Sequence, residues 1–280
     1  MNAFFIRLTL FLLLFFVLFF ISDYKCISQD QPSFRLQDIK IRQPYFKRTE
    51  SVPGTFAQWL RNLPIKPSGS PVLDYRGLIY KSADDTTVAA VVDWDIRGKR
   101  MEQCMDILVR LYAEFLWSNN RKRELIFPLP GGYHLKWLDW QIGMRPFFKG
   151  VKVTMKKTAG EDSSRNNFES YLWTIFAESH TQQFYHGFKS IDPRDLQIGD
   201  FIVKKGTKSH AVMIVDLIRN DSGEMMALIG HGDTPACQFY LLNYRKNNPW
   251  FPIDFKEAKL PLPIRRVMTW DGLRRFSEVN

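Results

Sequence analysis

The sequence predicts an α+β fold in which helices come first and an antiparallel sheet follows. Before Gly199, residues 99–117 and 167–179 place apolar side chains at the three- and four-residue spacing of a helix. After Gly199 the pattern changes to short runs of β-branched and aromatic residues, separated by turn residues. Because this segregated order is typical of α+β chains, we expect one antiparallel sheet packed against helices.

The helical half begins with a short helix after Thr55, a capping residue, and Pro64 and Pro67 stop that helix. Residues 86–96 (TTVAAVVDWDI) are rich in β-branched residues and predict a strand. The clearest helix spans residues 99–117, because seven apolar residues fall on one of its faces. They are Met101, Cys104, Met105, Leu108, Tyr112, Phe115 and Leu116.

The sheet half consists of four short apolar runs, "FIV", "AVMIVDLI", "MMALIG" and "FYLL". Turn-rich segments such as "KKGTKS" and "RNDSGE" separate the first three runs. Strands joined by such short connections predict an antiparallel meander.

Residues 1–28 have the pattern of a secretory signal peptide. Arg7 precedes an apolar run at residues 8–21, and polar residues follow it. The run is short for a bilayer span, which needs roughly 20 residues. Cleavage before Gln29 fits this pattern, and an uncleaved anchor over residues 3–22 is the alternative. We therefore expect an exported protein, periplasmic or secreted, and membrane-anchored if the segment is retained.

The remaining chain predicts an irregular lead-in over residues 29–54 and a single α+β domain over residues 55–280. The net charge is +10, with basic clusters at residues 121–123, 156–157, 204–208 and 265–266. For an exported protein this charge suits an anionic envelope polymer such as peptidoglycan, although ordinary solvated faces are the alternative. The sequence has no nucleic-acid motif, and we expect membrane contact only through an uncleaved N-terminal segment.

Three residues could form a nucleophilic site. His210 opens the longest predicted strand, His231 ends the next, and Cys104 is the one cysteine between the lead-in and these strands. A histidine at a strand end can serve as base for a cysteine at a helix N-terminus. The alternatives stay open, because a cysteine on an apolar helix face is usually a small hydrophobe and a histidine can be structural.

The stretch "LQIGDF…SHAVMIVD" resembles the Leu-x-x-Gly-Asp…His-x-x-Ile pattern of papain-like cell-wall amidases and peptidases of the CHAP and NlpC types. This resemblance implies a papain-like fold. It also implies that Cys104 is the nucleophile, that His210 is the base and that His231 orients His210.

A second resemblance covers nearly the whole chain after the lead-in. The segments "FAQWLRNLPIKP", "VVDWDI", "EQCMDILVRLYAEFL" and "TPACQFYLLN" are similar to those of the exported bacterial family catalogued as domain of unknown function 4846. That family implies export and one shared fold, without an established activity. The chain departs from it at His231-Gly232, where the family has Gln-Ser, and at Cys237, where it has Gln.

Two function hypotheses follow. One is a papain-like cysteine amidase or peptidase acting on cell-wall peptides, and the other is a non-catalytic envelope module that binds an anionic polymer through its Lys and Arg clusters. His180 and His186 lack ligands at metal-site spacing, so we expect neither a metal nor a cofactor. Cys104 and Cys237 come from unrelated elements, and we expect them not to form a disulfide.

Overall fold

The computed structural model describes residues Phe34 to Val279. The predicted signal peptide, residues 1–28, lies outside these residues. Among the described residues, no helix has both the length and the apolar character needed to span a bilayer.

Five α-helices and fifteen strands are found in the described part of the chain. The helices are α1 (Phe56–Arg61), α2 (Cys104–Ser118), α3 (Trp137–Gln141), α4 (Arg165–Glu178) and α5 (Thr181–Gly187). The strands are β1 (Lys47–Arg48), β2 (Val72–Leu73), β3 (Ile79–Lys81), β4 (Val88–Val91), β5 (Ile126–Pro128), β6 (His134–Lys136), β7 (Met144–Lys149), β8 (Lys152–Lys157), β9 (Phe188–Ser190), β10 (Phe201–Lys204), β11 (His210–Arg219), β12 (Met225–His231), β13 (Tyr240–Leu242), β14 (Trp250–Pro252) and β15 (Leu273–Val279).

A nine-stranded sheet organises the molecule. Its order is β4-β13-β12-β11-β10-β15-β9, with β1 also paired to β11 and β14 to β12. All of these pairings are antiparallel. Strands β10 to β13 pair in sequence order, so the predicted meander is confirmed. The mixed α and β composition with a large antiparallel sheet confirms the α+β class.

Helix α2 packs against one face of this sheet. Side chains alternate along β11, so Ala211 and Met213 join the apolar cluster that contains Leu108 of α2. Val212 and Ile214 face the opposite side, in a second buried cluster. The sheet is therefore covered on both faces, and its long central strand is apolar almost throughout.

Helix α2 begins at Cys104 and not at residue 99 as the periodicity predicts. The backbone N–H of Gln103 donates to Asp106 Oδ2 at 3.2 Å, which is a capping contact that fixes the helix start. Gly98 has a positive φ of 76°, so the chain turns six residues before this start. Cys104 therefore occupies the first helical position.

Helices α1 and α4 match their predictions closely, whereas α3 and α5 were not predicted. Thr55 caps α1 by accepting the N–H of Gln58, and Ser164 caps α4 by accepting the N–H of Asn167. Strand β4 is shorter than the strand expected at residues 86–96. Within the lead-in, β1 pairs with β11, so part of that segment contributes to the sheet.

Candidate active site

Cys104 lies at the N-terminus of α2, where its side chain is 8% exposed. Burial raises the pKa of the thiol to about 11, and the nearby Asp106 carboxylate adds to this rise. The backbone N–H groups of Met105 and Ala211 face the sulfur and oppose the rise. The resting group is therefore a neutral thiol at pH 7, held close to the start of β11.

The thiol occupies the end of the ladder between β11 and β12. Backbone N–H groups alternate in direction along a strand, and the Ile214 N–H donates to Asp200 on the β10 side. The Ala211 N–H, which faces the sulfur, accordingly points to the β12 side. There Gly232 packs so closely that an added Cβ would meet Ile107 Cγ2 at 2.9 Å. Glycine at this position lets α2 approach the sheet.

His210 and His231 meet at the same end of the sheet. In the antiparallel register Met213 pairs with Gly230, so the two histidines are diagonal neighbours on one face. His210 Nε2 lies 2.8 Å from His231 Nδ1, and both residues are fully buried. The sequence left open whether these histidines lie together, and the register of β11 and β12 brings them together.

Burial keeps both imidazoles neutral. It lowers the pKa of His210 to about 4 and that of His231 to about 3, and the adjacent His210 lowers the latter further. A neutral imidazole can accept a proton at pH 7. Among the described contacts, His210 Nδ1 and His231 Nε2 have no hydrogen-bond partner, although both atoms are buried.

A carboxylate completes the polar surroundings of the two histidines. Asp233 Oδ1 lies 2.9 Å from Arg266 Nη1, and Tyr80 donates its hydroxyl to Asp233 Oδ2 at 2.9 Å. Burial opposes ionisation of Asp233, but hydrogen bonds from the Thr234 N–H and Tyr80 outweigh it, and the pKa is lowered. Its negative charge opposes the effect of burial and so partly offsets the lowering of both histidine pKa values.

Asp233, Tyr80 and Arg266 were not predicted from the sequence. Asp233 stands two residues after His231 in "HGDTPAC", and this short spacing is the one sequence feature that could have indicated a role for it. Tyr80 and Arg266 are distant in sequence, on β3 and in the loop before β15, and no local pattern identifies them.

Among the described contacts, none joins the side chains of Cys104 and His210. The sulfur faces the N–H of Ala211, the residue that follows His210. The His210 ring shares the face of Val212, opposite to the face covered by α2. Its Nδ1 atom remains without a partner. The three predicted residues thus lie at one end of the sheet, with the two imidazoles on the face opposite to the one that α2 covers.

The two cysteines of the described chain are free and buried. The prediction that Cys104 and Cys237 do not form a disulfide is therefore confirmed. Burial raises the pKa of the Cys237 thiol to about 12.

The sheet, the helix that begins at Cys104 and the buried histidine pair define an α+β protein with a candidate nucleophile site at one end of its sheet. The chain belongs to the family described as Domain of unknown function (4846), whose model matches residues 37–271. No curated protein and no solved structure matches the chain. The expected resemblance to CHAP and NlpC enzymes gains no support from these comparisons.

Proposed function

We propose that the protein is an exported papain-like cysteine amidase or endopeptidase that acts on cell-wall peptides. The observation that supports this most is the bond between His210 Nε2 and His231 Nδ1, which leaves His210 Nδ1 buried without a partner. A buried polar atom without a partner is uncommon in native proteins and needs a reason. A role as proton acceptor for Cys104 is such a reason, and because the His210 ring lies on the face opposite to α2, the thiol and the ring have to come together when the substrate binds.

In the first half-reaction the Cys104 sulfur attacks the acyl carbon of an amide while His210 Nδ1 takes the thiol proton. The C–N bond then breaks, and His210 returns this proton to the leaving amine. A thioester between Cys104 and the acyl group remains. His231 holds the His210 ring in orientation through their 2.8 Å hydrogen bond.

In the second half-reaction water attacks the thioester carbon, and His210 again accepts the proton. The C–S bond breaks, the carboxylic acid leaves, and the proton returns to the thiolate. Because the resting thiol and imidazole are both neutral, the proton moves as the substrate arrives. The thiol is only 8% exposed, so the substrate has to displace groups around Cys104.

Export is part of the proposal. The signal-peptide pattern of residues 1–28 supports it, and so does the net charge of +10, which suits an anionic envelope. A cell-wall peptide is the amide substrate that such a compartment supplies.

The test uses the full chain with peptidoglycan and with peptides released from it, and new amine and carboxyl ends are measured by mass spectrometry. We expect C104A and H210A to abolish cleavage. C237A is the matched control, because Cys237 is also a buried free thiol and we expect this variant to retain activity. Equal cleavage by C104A and the unaltered chain, or no cleavage at all, contradicts the proposal.

The burial of the site favours a second function, a non-catalytic envelope module that binds an anionic polymer. His210 and His231 are fully buried, whereas the loop residues Lys205 and Lys208 are exposed. In that case K205Q/K208Q weakens retention on an immobilised polyanion, and C104A leaves retention unchanged. Peptide cleavage that depends on Cys104 would favour the enzyme over the binding module.

A further inference from the structure

The hairpin of β7 and β8 presents a cationic outer face. Its register pairs Arg145 with Lys156, Phe147 with Thr154 and Lys149 with Lys152, and cross-strand partners share a face. The opposite face is directed inward, where Val153 and Met155 pack against the main apolar cluster.

The charge of this face is not balanced locally. Lys149, Lys152 and Lys156 lie on this face, and the sequence from residue 141 to residue 160 contains no Asp or Glu. Like charges directly opposite each other destabilise a hairpin, and Lys149 faces Lys152 at the tip. None of these three lysines forms an ion pair with another described residue. An external anionic surface would relieve this repulsion.

The tip of the same hairpin exposes apolar side chains. Phe147 is 42% exposed and Val151 is 70% exposed. A hydrated polymer offers no apolar phase to such side chains, whereas the headgroup and acyl boundary of a bilayer does. Lysines beside exposed aromatic and aliphatic groups are the combination that anionic membranes attract.

We propose that this hairpin docks on an anionic phospholipid surface. Phe147 and Val151 enter the headgroup region, while Lys149, Lys152 and Lys156 contact lipid phosphates. This inference is independent of the chemistry of Cys104. It also adds a membrane contact distinct from the N-terminal apolar segment.

The test places an environment-sensitive fluorophore on V151C in the full chain, in a C26S background. The other cysteines are buried, so labelling selects the introduced thiol. V267C is the matched control, because Val267 is also an exposed valine, at 52%, and lies outside the hairpin. The labelled chains are reconstituted with vesicles of phosphatidylcholine alone or with added phosphatidylglycerol. The N-terminal segment is then the same in every sample.

We expect phosphatidylglycerol to shift the V151C label emission to the blue, and spin-labelled lipids to quench it. The V267C label should respond to neither. K149Q/K152Q/K156Q should lose the shift, K149R/K152R/K156R should keep it, and added salt should reverse it because the attraction is screened. Each variant alters exposed side chains, so an unchanged thermal midpoint verifies its fold.

Three outcomes overturn the proposal. One is the same response in neutral and anionic vesicles, and another is the same response at V267C. The third is a shift produced by soluble polyphosphate without quenching by lipid in vesicles, which would assign the face to a polymer.

Discussion

Strand β11 carries two buried polar residues whose surroundings differ. Both carboxylate oxygens of Asp216 accept hydrogen bonds. Arg48 Nε donates to Oδ2 at 2.7 Å, and Arg61 Nε and the Leu217 N–H donate to Oδ1 at 2.8 and 2.9 Å. His210 has the single bond to His231 and one buried nitrogen without a partner. Both residues have no exposed surface.

This difference distinguishes a residue that stabilises the fold from the residues of the candidate site. Asp216 ties β1 and α1 to the centre of the sheet through Arg48 and Arg61, and each charge in that cluster has a partner. A buried nitrogen without a hydrogen-bond partner does not stabilise the fold, and its desolvation costs free energy. We therefore expect changes at Asp216 to affect stability, and changes at the histidines to affect activity and pH dependence.

The largest effect should come from D216N. Removing one partner of a buried ion pair leaves the guanidinium groups of Arg48 and Arg61 uncompensated, which typically costs about 3–5 kcal/mol. Urea unfolding followed by circular dichroism measures this loss. A loss below about 1 kcal/mol would mean that the network does not secure β1 and α1, and it would remove one side of the comparison.

The histidine pair should make stability depend on pH. The pKa of His210 is lowered from 6.5 in an ordinary environment to about 4 in the fold. The unfolded chain therefore binds more protons as the pH falls below 6.5, so the free energy of unfolding decreases between pH 6.5 and 4. This amounts to about 3 kcal/mol from His210 alone.

H210Q/H231Q provides the control for that measurement, because glutamine keeps hydrogen-bonding capacity and does not titrate. We expect the unaltered chain to lose more stability than this variant between pH 6.5 and 4 in urea titrations. Parallel curves for the two proteins would contradict the assignment of buried, neutral histidines.

Alkylation of Cys104 should be slow at neutral pH. Its thiol pKa is raised from 9.0 to about 11, so the thiolate fraction falls by about a hundredfold relative to an ordinary exposed cysteine. Reaction with iodoacetamide, followed by peptide mass spectrometry, should accelerate about tenfold per pH unit up to about pH 11. A plateau near pH 7 would indicate that His210 already holds the proton in an ion pair with the thiolate.

Local patterns sufficed for much of the fold. Short apolar runs with turn residues between them predicted β10 to β13, and Thr55 predicted the start of α1. The start of α2 was predicted wrongly, because apolar periodicity continues through residues 99–103 while the capping contact from Asp106 begins the helix at Cys104.

The site itself depends on contacts that no local pattern encodes. Tyr80 reaches Asp233 across 153 residues, and Arg266 reaches it across 33. The residue types of Cys104, His210 and His231 suggested a site, but their relative position depends on strand register and on the path of α2. Register is set by the whole sheet, which explains why the pairing of the histidines stayed open in the sequence.

The smallest effect should come from D192N, which tests whether a lowered pKa alone identifies a stabilising group. Hydrogen bonds from Arg194 lower the pKa of Asp192 to about 2, yet both side chains are exposed, at 40% and 81%. Exposed pairs lie in water, are screened by salt and require two long side chains to be ordered. Asparagine also keeps the contact with the Arg194 N–H, so D192N removes the charge and little else. We expect no measurable change in the urea midpoint at low or high salt, in contrast to D216N. A clear destabilisation by D192N that salt abolishes would show that exposed charge matters here, and burial would then no longer separate the two kinds of carboxylate.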